Sequence, residues 1–280
     1  MKIRKTIACI IARTNSNRLP GKVLKQVAGK TMLEHIIERV KRAKNIDGIY
    51  ICTSTHPDDQ CLDSIARKNE ILFYSGSEDS VIERMLDVAQ LENADNVVRI
   101  TGDNIFTDSV YLDLMVQHHI TNNAEYTRSE NLPVGITAEV IAVPALKHCH
   151  ASMDPAFSQY LMLYMFNPLN YKCTVLLPPS SHQLPEWTLT VDNPSDWERT
   201  ELLFSKSVGF LDYGQIIELG RSFNIPYLKY VSDRMVKFPA GIIMNASAVR
   251  KELEERIRKS STVKITENVY NGVLYDQSTI

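Results

Sequence analysis

Three positively charged residues lie close together in one polar segment near the start of the chain: Arg13, Arg18 and Lys22. The segment 12–22 also contains asparagine, serine, proline and glycine, and it follows an isoleucine-rich apolar run at residues 6–12. Loops that hold a triphosphate combine fixed positive charges and exposed backbone N–H groups with small residues that allow close approach. The charges alone are also compatible with a solvated basic turn. Their position directly after a buried run favours a triphosphate-binding loop.

Two aspartates follow apolar runs farther along the chain. Asp103 comes after residues 96–101, and Asp192 comes after residues 187–191. Both runs are predicted strands, so both carboxylates are expected at the carboxyl edge of one sheet, where open α/β folds bind ligands. Mg²⁺ binds through one or two carboxylates and completes its shell with phosphate oxygens and water. The pair therefore predicts a magnesium site, although a strand-end turn for Asp103 and a neighbour of a helix cap for Asp192 are the alternatives.

Three other kinds of site are excluded by spacing. Gly29-Lys30-Thr31 resembles the end of a P-loop, but the glycine required five positions earlier is replaced by Leu24. The fingerprint G-x-G-x-x-G of dinucleotide-binding folds is missing from the first strand-to-helix turn. The seven histidines form no set with ligand spacing, which argues against zinc.

The elements that must position these residues alternate along the first half of the chain. Strands are predicted at residues 6–12, 48–53, 71–74 and 96–101, and helices at 32–40, 58–68 and 80–91. Alternation of this kind favours a parallel sheet with crossover helices.

The pattern changes after residue 120. Strands are predicted at residues 138–143, 171–176 and 187–191, and helices near 157–166 and at 194–206, 212–223 and 248–259. Asn271-Gly272 lies between apolar residues, which predicts a hairpin within residues 265–277. We expect one domain at residues 1–232 and a small C-terminal extension, a helix and a hairpin, at residues 233–280.

Composition and charge limit the class of protein. A net charge of −2 argues against a nucleic-acid partner, because that binding depends mainly on neutralising phosphates. No apolar stretch approaches the roughly 20 residues needed to cross a bilayer, and the N-terminal run lacks the features of a signal peptide. The five cysteines are widely spaced without a CxxC pair, and Cys9 and Cys52 are expected to be buried thiols. The sequence predicts a cytoplasmic protein with no membrane partner.

The loop 12–22, with Val23-Leu24 and Gly29-Lys30 after it, is similar to the signature of the cytidylyltransferases that make CMP-sugars. This family includes the acylneuraminate and ketodeoxyoctonate cytidylyltransferases, and the resemblance is greatest to the SpsF-like branch of spore coat polysaccharide biosynthesis. Three further segments match in chain order: Gly76-Ser77-Glu78-Asp79-Ser80-Val81 with Arg84, Arg99-Ile100-Thr101-Gly102-Asp103, and Trp187-Thr188-Leu189-Thr190-Val191-Asp192-Asn193-Pro194-Ser195-Asp196. The resemblance covers about residues 5–205.

The resemblance implies an α/β fold with a GT-A-like, Rossmann-type mixed sheet flanked by helices. It also implies transfer of CMP from CTP to an acceptor, with Mg²⁺ and release of pyrophosphate. Arg13 and Lys22 would be catalytic, because they would stabilise negative charge on the departing pyrophosphate. Contacts with the nucleotide would come from Ala12, Arg13, Ser16, Arg18, Lys22, Ser77, Arg84 and Asp103. Because Arg84 lies on a predicted helix, a solvated surface arginine is the alternative interpretation.

The acceptor is less well specified. The segment 154–160 usually carries charged residues and a histidine in the SpsF-like branch, whereas here it carries the aromatic residues Phe157 and Tyr160. Arg128 precedes it and is a candidate anchor, since guanidinium binds carboxylate and phosphate in a bidentate manner. We expect a small anionic acceptor, a sugar acid or a phosphate, with a modified nonulosonic or octulosonic acid as the leading candidate. A homodimer joined through strands near residues 138–143 is also expected.

Two other functions are alternatives to a cytidylyltransferase. A nucleotide-sugar glycosyltransferase of the same fold usually carries a D-x-D metal motif, whereas Asp103 is followed by Asn104 and Ile105. Such an enzyme also has no use for a triphosphate loop. A catalytically silent nucleotide-binding scaffold would not need the combination of Lys22 with two aspartates.

Overall fold

The computed structural model describes residues 4–229, 235–237 and 243–278. The strands are β1 Thr6–Ile11, β2 Gln26–Val27, β3 Lys30–Thr31, β4 Gly48–Ser54, β5 Leu72–Gly76, β6 Asn96–Thr101, β7 Tyr126–Ser129, β8 Glu139–Ala142, β9 Cys173–Leu177, β10 Met235–Lys237, β11 Ile243–Asn245 and β12 Ser261–Lys264. The helices are α1 Met32–Lys41, α2 Leu62–Lys68, α3 Val81–Leu91, α4 Ser109–Thr121, α5 Val143–Ser152, α6 Leu161–Met165, α7 Pro194–Ser205, α8 Tyr213–Ser222, α9 Ala246–Arg258 and α10 Glu267–Ser278. Short 3₁₀ helices lie at Lys22–Leu24, Pro57–Cys61, Pro155–Tyr160 and Ser180–His182.

Eight strands form one mixed sheet in the order β12-β9-β7-β8-β6-β1-β4-β5. Strands β5, β4, β1 and β6 are parallel neighbours. Strand β8 is antiparallel to both β6 and β7, and β7, β9 and β12 again run parallel. The expected mixed α/β sheet is therefore confirmed, and its parallel half brings the ends of β1, β4, β5 and β6 to one edge.

The sheet is buried on both faces. Strand β1 contributes Ile10 to a core with α1 and α4, and Cys9 to a second core with α3 and α5. Alternation of side chains across a strand explains this division, and a central parallel strand covered on both faces is apolar throughout. The prediction that Cys9 and Cys52 are buried is confirmed.

Capping residues define where the helices begin. Thr31 and Glu34 form a capping box at the start of α1, and Asn193 and Asp196 form another at the start of α7. In each box, two backbone N–H groups that the helix leaves unpaired find side-chain acceptors. The predicted start of α7, with Pro194 in its first turn, is confirmed.

The predicted strand at residues 187–191 is wrong. Its backbone N–H groups bond to unrelated segments, Thr188 to Leu228, Leu189 to Val134 and Val191 to Asp103, so no continuous ladder forms. Trp187, Leu189 and Val191 are nevertheless buried, which explains the strand-like alternation in the sequence. A connecting segment packed into a core produces the same pattern as a strand.

The predicted hairpin at Asn271-Gly272 is also wrong, because both residues lie within α10. Tyr270 is buried, and its hydroxyl donates a hydrogen bond to Asp108 at the start of α4. Packing of this helix against α4 outweighs the turn preference of the dipeptide.

Strand β12 extends the main sheet beside β9. The predicted boundary between residues 232 and 233 lies outside the described residues.

Strand β8, which spans most of the predicted dimer contact at residues 138–143, lies in the interior of the sheet. Strand β8 is hydrogen-bonded on both sides, to β6 and to β7, and Val140 and Ile141 are fully buried. An interior strand has no free edge with which to pair with a second chain.

Among the described residues, no helix is both long and apolar enough to cross a membrane.

Candidate active site

The polar loop leaves β1 where β4 and β6 also end. Ala12 N–H donates to Cys52 O over 3.3 Å, and Gly102 N–H donates to Ile11 O over 2.8 Å. A Cβ on Gly102 would lie 2.9 Å from Ile11 O, so only glycine allows these strand ends to approach so closely. This contact brings the residue after Gly102, Asp103, beside the loop.

Asp59 fixes the start of the loop. Its Oδ1 accepts hydrogen bonds from Thr14 N, at 2.7 Å, and from Thr14 Oγ1, at 2.8 Å. Its Oδ2 accepts a hydrogen bond from Ser54 at the end of β4. Burial alone would raise the pKa of Asp59, but these hydrogen bonds outweigh burial and lower it. Sequence reasoning missed Asp59, because an acidic residue early in a predicted helix carries no sign that it holds a loop.

Gly21 closes the other end of the loop. It has a left-handed backbone with φ of 64°, and its N–H donates to Thr14 O over 3.0 Å. Because a Cβ at this position would meet open space, the requirement for glycine is conformational rather than steric. Lys22 then begins a short 3₁₀ helix whose Val23 is buried. The lysine is thereby held on a fixed turn.

Lys22 is the centre of the charged cluster. Its Nζ donates to Val191 O at 2.8 Å and to Asp192 Oδ1 at 3.0 Å, and it lies 4.0 Å from Asp103 Oδ2. Arg18 Nη2 lies 3.1 Å from the same Asp192 oxygen. The structure thus joins two predicted phosphate-binding cations to both predicted metal ligands. The Lys22 side chain is only 14% exposed, which strengthens its interactions relative to those on an open surface.

Asp103 offers a free ligand position in this cluster. Its backbone carbonyl accepts a hydrogen bond from Val191 N at 2.9 Å, which ties together the two segments that carry the aspartates. Its Oδ1 is buried and accepts no hydrogen bond from the described residues. A buried carboxylate oxygen without a partner is costly, and a cation would satisfy it.

Arg199 and Asp196 hold the segment that carries Asp192. Asp196 Oδ2 accepts a hydrogen bond from Asp192 N at 2.9 Å, and its Oδ1 accepts one from Arg199 Nη1, also at 2.9 Å. Arg199 is fully buried and also donates to Thr190 O, two residues before Asp192. Sequence reasoning missed Arg199, since helical spacing alone does not distinguish it from a surface arginine.

Arg84 is fully buried, so the alternative of a solvated surface arginine is wrong. Its hydrogen bond to Cys52 O is long at 3.5 Å, and its buried Nε and Nη2 find no partner among the described residues. Burial and, to a smaller extent, the nearby charge of Arg13 lower its pKa to about 10. Ser77, at the end of β5, accepts a hydrogen bond from Ser80 N. These buried donors beside the loop suit an oxygen-rich ligand.

The proposed acceptor residues are held by other elements. Arg128 lies on β7, where it pairs with Glu130 at 2.8 Å and stacks 5.0 Å from the Phe166 ring centroid. Phe157 and Tyr160 are half-buried on the 3₁₀ helix Pro155–Tyr160. Within the described part of the chain, no hydrogen bond or ion pair joins these three residues to the charged cluster. The structure therefore does not bring the predicted acceptor residues into direct contact with the predicted catalytic residues.

Hydrogen bonds from α3 and β6 hold the 3₁₀ helix Pro155–Tyr160 in place. Ser158 Oγ accepts a hydrogen bond from Val81 N at the start of α3, at 2.8 Å. Arg99 donates to Gln159 O over 3.0 Å and also pairs with Glu139 on β8. Phe157 and Tyr160 therefore stand on a segment that β6 and α3 hold in place.

A cationic loop and two carboxylates at the carboxyl edge of a mixed α/β sheet define a nucleotidyltransferase. Residues 7–171 match the family model described as cytidylyltransferase. The chain belongs to this family, whose members use CTP, and within it to the SpsF-like branch.

Three similar proteins support this assignment. The spore coat polysaccharide biosynthesis protein SpsF of Bacillus subtilis is 31% identical over 205 residues, which cover 71% of this chain and 85% of that protein. The 3-deoxy-manno-octulosonate cytidylyltransferase of Solibacter usitatus is 36% identical over 115 residues, covering 40% of this chain and 44% of the other. A cytidylyltransferase structure from Leptospira borgpetersenii superposes with a TM-score of 0.75 at 26% identity, covering 81% of this chain and 99% of that one.

Proposed function

We propose that this enzyme transfers CMP from CTP to a small anionic acceptor, a sugar acid, and releases pyrophosphate with the help of Mg²⁺. The observation that carries the proposal is the cluster in which Lys22 lies within 4.0 Å of carboxylate oxygens of both Asp103 and Asp192. The match to a 3-deoxy-manno-octulosonate cytidylyltransferase supports a sugar acid as the acceptor class.

The residues of the loop would act electrostatically. Transfer of a nucleotidyl group from CTP leaves negative charge on pyrophosphate, and positive groups held in place before the reaction stabilise that charge. Lys22 and Arg13 are both on the loop, which Asp59 and Gly21 hold in one conformation. Ala12, Ser16, Arg18, Ser77 and Arg84 would bind the rest of the nucleotide.

The residues present fit a magnesium ion. Asp103 and Asp192 would hold it, and the buried Asp103 Oδ1, which has no hydrogen-bond partner in the described part of the chain, would be one ligand oxygen. Among the described residues, no group of three or more His, Cys, Asp or Glu side chains could hold a metal by itself. That is compatible with Mg²⁺, which takes few protein ligands and shares its shell with phosphates and water. When bound, it would supply positive charge beside the α-phosphate.

Arg128, Phe157 and Tyr160 would form the acceptor site. The aromatic rings would lie against the apolar face of the sugar, and Arg128 would bind its carboxylate. Since Arg128 is already paired with Glu130, an acceptor carboxylate would have to compete with that partner. We therefore expect Arg128 to affect acceptor affinity more than turnover.

A pyrophosphate-release screen tests the acceptor class. Purified enzyme with CTP and Mg²⁺ is assayed against sugar acids, sugar phosphates, phosphonates and neutral sugars, and activity with sugar acids is expected. Arg128→Ala should raise the acceptor KM roughly tenfold, as expected for a lost charged hydrogen bond, while Arg67→Ala, an exposed arginine on α2, serves as the control. Activity confined to neutral sugars, or an unchanged KM in Arg128→Ala, would contradict the proposal.

A further inference from the structure

A second cationic pocket lies beside α1, and none of its lining residues belongs to the loop 12–22 or to the metal-binding pair. Its volume is about 390 Å³, and its lining includes Lys30, Glu38, Arg39, Arg42 and Phe210. Pockets of about 300–1,000 Å³ are typical of small-molecule sites. Nothing in the proposed transfer of CMP uses this pocket.

Two arginines in the pocket have unused hydrogen-bond donors. Arg39 is only 2% exposed; it donates to Leu211 O, and its Nε is buried with no hydrogen-bond partner among the described residues. The same holds for the Nε of Arg42 within the described part of the chain. The Arg42 side chain is 38% exposed, so its outer N–H groups are the donors that a ligand in the pocket can reach.

Phe210 orients both guanidinium groups. The central carbons of Arg42 and Arg39 lie 3.6 Å and 4.8 Å from its ring centroid. Stacking on a ring fixes the plane of a guanidinium and leaves its N–H edges available. The charges are therefore arranged before any ligand arrives.

The charge balance of the pocket is positive. Glu38 is the one carboxylate in the lining, and it is paired with Lys30 at 2.7 Å and lies 3.9 Å from Arg42. Burial lowers the pKa of Arg39 to about 10, which still leaves it charged at neutral pH, and Asp108, Glu38 and Asp212 favour its charged form. The lining thus holds three cations and one carboxylate, and two positive charges remain once Glu38 is paired with Lys30.

We propose that this pocket binds the phosphoryl group of a small metabolite. Several guanidinium and ammonium donors converging on one place suit the three oxygens of a phosphoryl group. An adjoining pocket of about 600 Å³ shares Lys30, Glu38 and Arg42 and extends to Lys41 and to the Glu34–Lys68 ion pair, which gives room for the remainder of the molecule. The proposal does not depend on the proposed transferase function.

Titration calorimetry with inorganic phosphate and with glucose 6-phosphate tests this site. Arg42→Gln and Lys30→Gln, both at partly exposed side chains, should each weaken binding roughly tenfold, the effect expected for one charge-assisted hydrogen bond. Arg67→Gln removes an exposed charge from α2 and should leave binding unchanged. Lys22→Ala, which disables the phosphate loop of the active site, should retain this binding event.

The two probes separate the possible ligands. Tighter binding of glucose 6-phosphate than of inorganic phosphate would identify a phosphorylated metabolite, with glucose as the negative control. Three results would overturn the proposal: no binding of either probe, equal binding by Arg42→Gln and Arg67→Gln, or loss of binding in Lys22→Ala.

Discussion

Lys22 connects the polar loop to both aspartates, and at the residue scale the proposed chemistry depends on it. Its ammonium group touches the carboxylate of Asp192 and the carbonyl of Val191, and it approaches Asp103. A positive group in this position can stabilise a departing pyrophosphate without moving during the reaction.

Replacing Lys22 with alanine should lower turnover by roughly 10²-fold or more, the usual effect of removing one preorganised charge-stabilising group. The fold should survive, because the lysine lies at the rim of the core. Steady-state kinetics and circular dichroism measure the two effects, with the exposed Lys147→Ala on α5 as the matched control. A folded Lys22→Ala variant with wild-type turnover would place the active site elsewhere.

Asp103 and Asp192 should act as one unit. Asp103→Asn and Asp192→Asn should each nearly abolish activity at low Mg²⁺, and the double variant should be little worse, because groups that share one ion are not additive. Rates measured over a series of Mg²⁺ concentrations test this prediction. Losses that multiply cleanly in the double variant would show that the two carboxylates do not share an ion.

The sequence could predict the residues of the charged cluster but not those that position them. Arg18, Lys22, Asp103 and Asp192 lie in short motifs at strand ends or between buried segments, and the structure brings them together. Asp59 fixes the loop across a distance of 45 positions in the sequence. Long-range partners of this kind have no local pattern.

At the scale of elements, the start of α4 meets α10 through a buried acidic residue. Asp108 caps α4 by accepting from Tyr111 N at 2.9 Å, and it also accepts from the hydroxyl of Tyr270 at 3.0 Å. Burial raises its pKa to about 6, and these hydrogen bonds only partly oppose that effect. The contact between the two helices therefore contains a group that titrates near neutral pH.

Stability should depend on the ionisation of Asp108. The folded state holds its proton more tightly than the unfolded chain, so its contribution is full below about pH 4 and is lost as the pH rises through about 6. Relative to Asp108→Asn, which can still cap the helix, the wild type should lose up to about 3 kcal/mol between pH 4 and 7. Urea denaturation of both proteins at several pH values measures their free energies of unfolding. If the difference between the two proteins did not change with pH, the prediction would be contradicted.

Local preferences misled the sequence interpretation where packing decides the structure. Residues 187–191 alternate like a strand because their three apolar residues are buried, but their hydrogen bonds go to three separate segments. Asn271-Gly272 is a strong turn signal, yet the burial of Tyr270 against α4 keeps this segment helical. Neither structure can be predicted without knowing which part of the molecule packs against the segment.

At the scale of the whole molecule, the C-terminal segment contributes the edge strand of the main sheet, β12. Strand β12 pairs with β9 along Ser261–Lys264, and the next residue, Ile265, donates to Leu177 O over 2.8 Å. Ile265 and Tyr270 are both buried in the core shared with α1 and α4. The alternating strands and helices of the first half were predictable from local periodicity, whereas this late strand was not, since its partner lies far away in the sequence.

A chain ending at residue 260 should be destabilised by several kcal/mol, because it loses two buried side chains and exposes the edge of β9. Thermal unfolding followed by circular dichroism, together with size-exclusion chromatography, should show a lower Tm and association of the truncated chain. Tyr270→Phe, which keeps the ring and removes only the hydroxyl, should lower the Tm far less than the truncation does. An unchanged Tm in the truncated chain would show that the segment is a separate appendage.

Following the phosphorus atoms of CTP by ³¹P NMR tests the central proposal most directly. With enzyme, Mg²⁺ and a sugar acid, the α-phosphorus should move into a phosphodiester between CMP and the acceptor, with one pyrophosphate released for each product formed. The Lys22→Ala variant should show almost no change over the same time. Release of inorganic phosphate in place of pyrophosphate, or CTP left intact with every acceptor, would contradict the proposed reaction.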